Sequence, residues 1–284
     1  MCKYEQVTID TFEDFRDNYS RFHPWLREEH ADVSGGTISI ADIDRIKDYP
    51  DAEVVTISGL HQDTFEYFIK TYGHQFKAIR FHKNKLVSDW SLLGELPNLE
   101  FVHWFFNQRI TSFWDMSKNV SLKAISIDDF SRITGFEMID TAPALEFLSI
   151  GAAVWPSNFN FNSFAPLINS KVKKLEFYRL KIPTTDFSFV SEMPQLQVFD
   201  FPSNLLTTEQ FAWIVANRPD LKGWSLAAAY IRTEYEDSTE KKKVIVTGKG
   251  KRDFDLEGNE KRLEKIEREF QALVEKYKGM PYPL

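Results

Sequence analysis

The sequence predicts an α/β fold built from about eight consecutive strand-and-return units, and three observations carry that expectation. An apolar frame (apolar, two free, apolar, one free, apolar) recurs at Ala52/Val55/Ile57, Phe76/Ile79/Phe81, Leu99/Val102/Trp104 and Leu122/Ile125/Ile127. It continues at Leu145/Leu148/Ile150, Val172/Leu175/Phe177, Leu196/Phe199/Phe201 and Leu221/Trp224/Leu226. Successive starts lie 24, 23, 23, 23, 27, 24 and 25 residues apart, a spacing typical of repeat architectures. Proline falls two residues before the first apolar position at Pro50, Pro97, Pro143, Pro194 and Pro219. Proline cannot continue a helix and biases its predecessor away from helical geometry, so it ends a return and launches the next strand.

The elements follow in order. Residues 1–50 read as an N-terminal cap, with a helix over 11–19, a break at Pro24 before Trp25, an extra strand over 37–40 and a short helix over 41–47. Residues 63–72 place Phe65, Phe68, Ile69 and Tyr72 on one helical face behind Asp63 as N-cap. The return after Leu86 reads as irregular turns with Trp90, Leu93 and Leu96 pointing inward. A helix is expected over 208–217, with Phe211, Ile214 and Val215 on one face. Residues 231–284 read as a C-terminal cap. It holds a strand over 243–247 and a helix over 259–278 with the stripe Leu263, Ile266, Phe270, Leu273 and Tyr277. Repeats span 51–230, and cap, repeats and cap form one continuous domain on this reading.

Composition narrows the function. The 284 residues are 43% hydrophobic and 27% charged, which is ordinary folded-protein chemistry. Net charge is −7, a poor match for a dedicated nucleic-acid binder, which needs clustered Lys and Arg. The single cysteine, Cys2, excludes an internal disulfide framework and a Cys-cluster zinc site. No apolar run is long enough to span a bilayer and the first residues hold no apolar signal core, so a cytoplasmic protein that does not engage a membrane is expected.

The frame L-x-x-L-x-L-x-x-N resembles the leucine-rich repeat superfamily over roughly residues 52–229. Asn84, Asn107 and Asn204 stand at the asparagine position, where the family joins neighbouring turns into a ladder. Leu60, Phe130, Ala153, Leu180 and Ala229 replace it elsewhere, so the ladder is expected to be interrupted and the chain reads as a divergent member of bacterial type. The resemblance implies a curved solenoid, with a parallel sheet on the concave face and short helices and turns on the convex face. It also implies a partner protein bound on the concave face.

Side chains alternate along a strand, so frame positions 1, 4 and 6 enter the core and positions 3, 5 and 7 face the concave side. Phe101, Phe105, Phe147 and Tyr178 are therefore expected as exposed aromatics on the middle strands, with Phe106 beside them. Around them, Arg80, His82 and His103 lie on early strands and Asp128, Glu176 and Asp200 on later ones. The leading reading is a non-catalytic protein-interaction module using these residues, with an inhibitor or immunity-type role as one version. The protein partner is not identified, and a monomer or weak homo-oligomer is expected. The alternative is a small enzyme or a ligand- or metal-binding protein using His82, His103 and Asp128, which neighbouring strands could bring together.

The segment 241–252, KKKVIVTGKGKR, carries six basic residues and no acid. Residues 241–284 hold 12 basic and 8 acidic side chains, whereas residues 1–240 hold 23 and 34. This segment reads as a solvated hairpin with edge-protecting lysines; docking of an acidic or phosphate surface is the other reading. It lacks phosphate-loop spacing, and no serine-hydrolase, zinc-protease or dinucleotide fingerprint occurs, so no cofactor is expected.

Overall fold

The computed structural model describes residues 12–17, 37–154, 157–158, 161, 163–182, 186–236 and 239–284. Packing divides the chain into two compact units, Met1–Val172 and Lys173–Leu284. It is a mixed α/β structure with seven parallel strands, five in the first unit and two in the second.

In the first unit, β1 (Val54–Ser58), β2 (Ala78–His82), β3 (Phe101–Phe105), β4 (Ala124–Asp128) and β5 (Phe147–Gly151) pair in parallel in chain order. Their register aligns Val54, Ala78, Phe101, Ala124 and Phe147, so like positions of the repeat frame face one another. Positions 4 and 6 form the core: Val55, Ile57, Ile79, Phe81, Val102, Trp104, Ile125, Ile127, Leu148 and Ile150 are completely buried. Burial of each such side chain contributes about 1.5–3 kcal/mol. Return segments cover this face with aromatics. The ring of Trp90 lies 4.8 Å from Phe81 and 5.4 Å from Trp104, which meets Trp114 at 5.3 Å.

Helix α2 (Gln62–Tyr72) buries Phe65, Phe68 and Ile69 as its periodicity demands. Its N-cap is His61 rather than Asp63, because the Thr64 hydroxyl accepts the His61 N–H at 2.9 Å and sets the first turn two residues earlier. The expected strand over 37–40 is not formed. Ser39 caps a short helix, Ile40–Ile43, its hydroxyl accepting the Asp42 N–H at 3.2 Å while Asp42 accepts the Ser39 N–H at 3.0 Å. That reciprocal box favours helical entry over extended pairing. A single-turn 3-10 helix, Asp44–Asp48, follows. Of the helix expected over 11–19, α1 (Phe12–Asp17) is described; Pro24 and Trp25 lie outside the described residues.

The chain leaves the strands by a recurring device. Gly59, Lys83, Phe106 and Asp129 follow β1 to β4 directly, and all four have positive φ, between 54° and 76°. This conformation turns the N–H groups of Lys83, Phe106 and Asp129 onto the next strand's carbonyls, at Phe105 (2.7 Å), Asp128 (2.9 Å) and Gly151 (3.1 Å). Only glycine adopts this region freely. Replacing Lys83 by glycine is therefore expected to raise the unfolding free energy by about 0.5–1 kcal/mol in urea denaturation. A loss of stability would mean that the lysine side chain holds more than the backbone strain costs.

Asn84 and Asn107 each bond across to the neighbouring turn. Asn84 Oδ1 accepts the Leu60 N–H at 2.8 Å and its amide donates to Ile57 O at 3.0 Å. Asn107 repeats both bonds one strand on, to Asn84 N–H at 2.8 Å and Phe81 O at 2.7 Å. Asn204 is exposed and outside any such pair. Asn119 is a polar clamp that the frame did not reveal: buried, it accepts from Trp114 Nε1 at 2.7 Å and donates to Leu93 O and Leu96 O at 2.8 and 2.9 Å.

In the second unit, β6 (Lys174–Tyr178) pairs in parallel with β7 (Val198–Asp200). The eighth frame does not become a strand; it contributes a single bridge, Val198 to Lys222. Here the Trp224 N–H donates to the Asp200 carboxylate at 2.9 Å instead of extending the ladder, and Leu226 N–H turns back to Gly223 O at 3.1 Å. Trp224, expected in the core, is 41% exposed as a result. Helix α3 (Thr208–Asn217) starts with a reciprocal box between Thr207 and Gln210 and buries Phe211 and Ile214.

An antiparallel sheet of β8 (Ala229–Glu236), β9 (Thr239–Val246) and β10 (Phe254–Asp255) follows, in the order β8-β9-β10. Helix α4 (Glu260–Tyr277) packs Leu263 and Ile266 against Val244, Val246 and Phe254. Phe270 and Val274 are its buried residues. Trp213 Nε1 donates to Met280 O at 2.6 Å and Asn217 donates to Tyr277 O at 3.1 Å, which fastens the end of the chain to α3.

Candidate functional site

Frame positions 3, 5 and 7 occupy the opposite face of the first unit's sheet, and most of that face is interior. Its third-position column, Val54, Ala78, Phe101, Ala124 and Phe147, is a continuous apolar stripe. Parallel sheets bury both faces when both are apolar. Here α1 supplies the cover: Phe12, 4% exposed, packs in a cluster with Ala78, Ala124 and Phe147 and against Val54 and Phe101. Its ring lies 5.1 Å from Phe147, edge-on at 86°, and 5.9 Å from Phe101. Arg16, one turn on, donates to Ser149 Oγ at 3.4 Å. Phe147 is therefore 7% exposed, not an open aromatic, whereas Phe101, Phe105 and Phe106 keep partial exposure.

The expected charged residues of this face are buried as well. Arg80, His82, His103 and Asp128 are all under 9% exposed. His103 Nε2 meets Asp128 Oδ2 at 2.9 Å, and Ser126 Oγ donates to the other carboxylate oxygen at 3.4 Å. His82 does not join them; its ring stacks on Phe105 at 5.1 Å and 6°. The Arg80 guanidinium sits 5.4 Å over the same Phe105 ring. His103 and Asp128 thus form a hydrogen-bonded pair, and the three-ligand arrangement with His82 is not assembled. Among the described residues no group of His, Cys, Asp or Glu could hold a metal ion.

The electrostatics match this burial. Burial pushes His82 down to about 3, helped by the nearby positive charges of Arg80 and Lys83. Burial also pushes His103 below the usual imidazole range, against the opposing pull of Asp128, with Arg80 and Arg16 adding to the depression. Both rings are neutral near pH 7. The neutral His103 ring is then a donor at Nε2 to the carboxylate.

On the second unit's strands the corresponding residues, Lys174, Glu176 and Tyr178 on β6 and Val198 and Asp200 on β7, are partly exposed. Glu176 and Asp200 stand opposite each other in the register. Burial raises the Asp200 carboxyl above its ordinary value; the Trp224 N–H works against that rise, and the charge of Glu176 adds to it. Trp224 lies edge-on to Tyr230 at 5.1 Å and stays exposed. Trp224 is the residue that the frame misassigned, and Phe12 and Arg16 are those it left unconnected to the site. The signal for the cover was present: a strand column apolar on both faces requires a second layer.

No protein-family model matches the chain, and no curated protein matches it in sequence.

Proposed function

We propose that the chain is a non-catalytic interaction module of leucine-rich repeat type, acting in the cytoplasm, that docks a protein partner on the strand face of β6 and β7. The observation that supports this most is the exposed Trp224, whose N–H meets Asp200, together with the partly exposed Tyr178, Glu176 and Asp200 on β6 and β7. Half-buried aromatics are the usual anchors of protein interfaces, being large, rigid and amphipathic. The facing carboxylates Glu176 and Asp200 select a partner segment carrying Lys or Arg. Arg80, His82, His103 and Asp128, all buried, serve the fold of the first unit in this reading.

The test is capture from a lysate of the source cell, using wild-type chain beside a Tyr178→Ala/Trp224→Ala variant whose folding is verified by circular dichroism. Loss of a captured protein by at least about tenfold is expected, as for two central aromatic anchors. Equal retention by the folded variant contradicts the assignment.

A further inference from the structure

Among the described residues, the three-stranded sheet of the second unit has one long edge with no partner strand. β8 pairs with β9 on one side only, over its full eight residues from Ala229 to Glu236. Along that edge Ile231 is 51% exposed, Tyr235 is 75% exposed, and Arg232 and Thr233 are exposed too. An open edge of this length is a template for another strand, and proteins usually guard it with lysine, proline or a bulge. The lysines expected as guards, Lys241 to Lys243, stand on the central strand β9 and not on the β8 edge.

The direction of the free backbone groups follows from the register. Ala228 O accepts the Thr247 N–H at 3.1 Å, and the β8–β9 pairing places Ala229 opposite Val246. Ala228 is therefore at a hydrogen-bonded position, and alternation turns the N–H and C=O groups of Ala229, Ile231, Thr233 and Tyr235 away from β9.

We propose that two copies of this chain associate by antiparallel pairing of β8 with β8 about a two-fold axis at Thr233. In this register Thr233 faces its own copy, and Ile231 faces Tyr235 of the second copy. Arg232 faces Glu234 of the second copy, twice over by symmetry. The outward-turned groups of Ile231, Thr233 and Tyr235 then satisfy one another. A β-branched residue against an aromatic, and opposite charges against each other, are favourable cross-strand pairs. Within one copy Arg232 already pairs with Glu234, so association exchanges that contact for its equivalent across the axis. The charges on the edge fail as guards because they are opposite in sign and symmetric about Thr233. One strand pair covers little area, so association is reversible and concentration-dependent.

Sedimentation velocity of the full chain over a range of concentrations tests this. Wild type is expected to shift from monomer to dimer as concentration rises. Thr233→Pro removes an N–H that points away from β9, so the hairpin keeps its ladder while the dimer is lost. Arg232→Glu and Glu234→Arg each place like charges together twice and weaken association by at least about tenfold. Combining both reversals restores it to within about threefold of wild type. A chain that stays monomeric at every concentration overturns the proposal, as does a dimer that Thr233→Pro and the single reversals leave unchanged.

Discussion

Arg218→Ala is expected to destabilise the second unit by about 3–5 kcal/mol. Arg218 is 7% exposed and lies at the C-terminal cap of α3. Its guanidinium donates to the carbonyls of Val190, Met193 (2.8 Å) and Leu196 (2.6 Å), which end the Ser188–Glu192 turn and lead into β7. Asp220 holds the same guanidinium through Nε at 2.9 Å and Nη2 at 2.8 Å. Alanine takes the guanidinium donors from three carbonyls; Met193 O keeps the Leu196 N–H at 3.0 Å, while the loss at Val190 O and Leu196 O costs about 1–3 kcal/mol each. Lysine offers a point charge in place of a planar fork and should recover only part of the loss. Arg218→Met keeps most of the volume without the donors, so a loss close to that of alanine assigns the effect to hydrogen bonding. The readout is equilibrium urea denaturation. A loss below about 1 kcal/mol for Arg218→Ala contradicts the clamp.

Acid is expected to unfold the first unit through His82 and His103. Both have folded-state pKa values below the unfolded value of 6.5, His82 at about 3. The unfolded chain therefore binds more protons below pH 6.5, and stability falls as pH drops. The stabilisation is complete above pH 6.5 and is lost through the interval down toward about 3 for His82. Each histidine contributes a slope of about 1.4 kcal/mol per pH unit inside its window. His82 alone removes about 2–3 kcal/mol between pH 6.5 and 4.5, and His103 acts in the same direction. His82→Gln, which cannot take up a proton, should flatten the slope measured by denaturation at stepped pH by about 1 kcal/mol per pH unit inside the His82 window. An unchanged slope contradicts the buried neutral state of His82.

Much of the fold is legible in the sequence, for a simple reason. Period-2 alternation inside a fixed longer repeat has one low-energy solution, in which equivalent residues stack in register, and Val55 through Ile150 follow it. The helical returns 62–72 and 208–217 are legible because their apolar spacing is long enough to count. The eighth unit misleads because its apolar pattern matches while one hydrogen bond, from Trp224 N–H to Asp200, diverts the backbone. A carboxylate competing for a ladder donor leaves no trace in hydrophobicity.

The site is less legible than the fold. Alternation identifies which side chains share a face, and it does so correctly for Arg80, His103 and Asp128. It does not say whether that face meets water. Phe12 reaches Phe147 from 135 residues away in the chain, and no local pattern encodes a contact of that separation. Phe12 of α1 converts Phe147 from an expected contact residue into a structural one, whereas Glu176, Tyr178 and Asp200 stay partly exposed and Trp224 exposed. The left-handed exits at Lys83, Phe106 and Asp129 are likewise hidden, because none of the three is a glycine and their residue types give no signal for a left-handed backbone.

Hydroxyl-radical footprinting of the chain, alone and with its captured partner, tests the central division between a covered and an open face. In the free chain, oxidation of Trp224 and Tyr178 should exceed that of Phe12 and Phe147 by at least about tenfold after correction for intrinsic reactivity, since the last two sit in a packed apolar layer. On adding the partner, protection should fall on Trp224 and Tyr178 and leave Phe12 and Phe147 unchanged. Phe147 oxidised as readily as Trp224 in the free chain, or protection centred on Phe101 and Phe147 in the complex, would contradict the account.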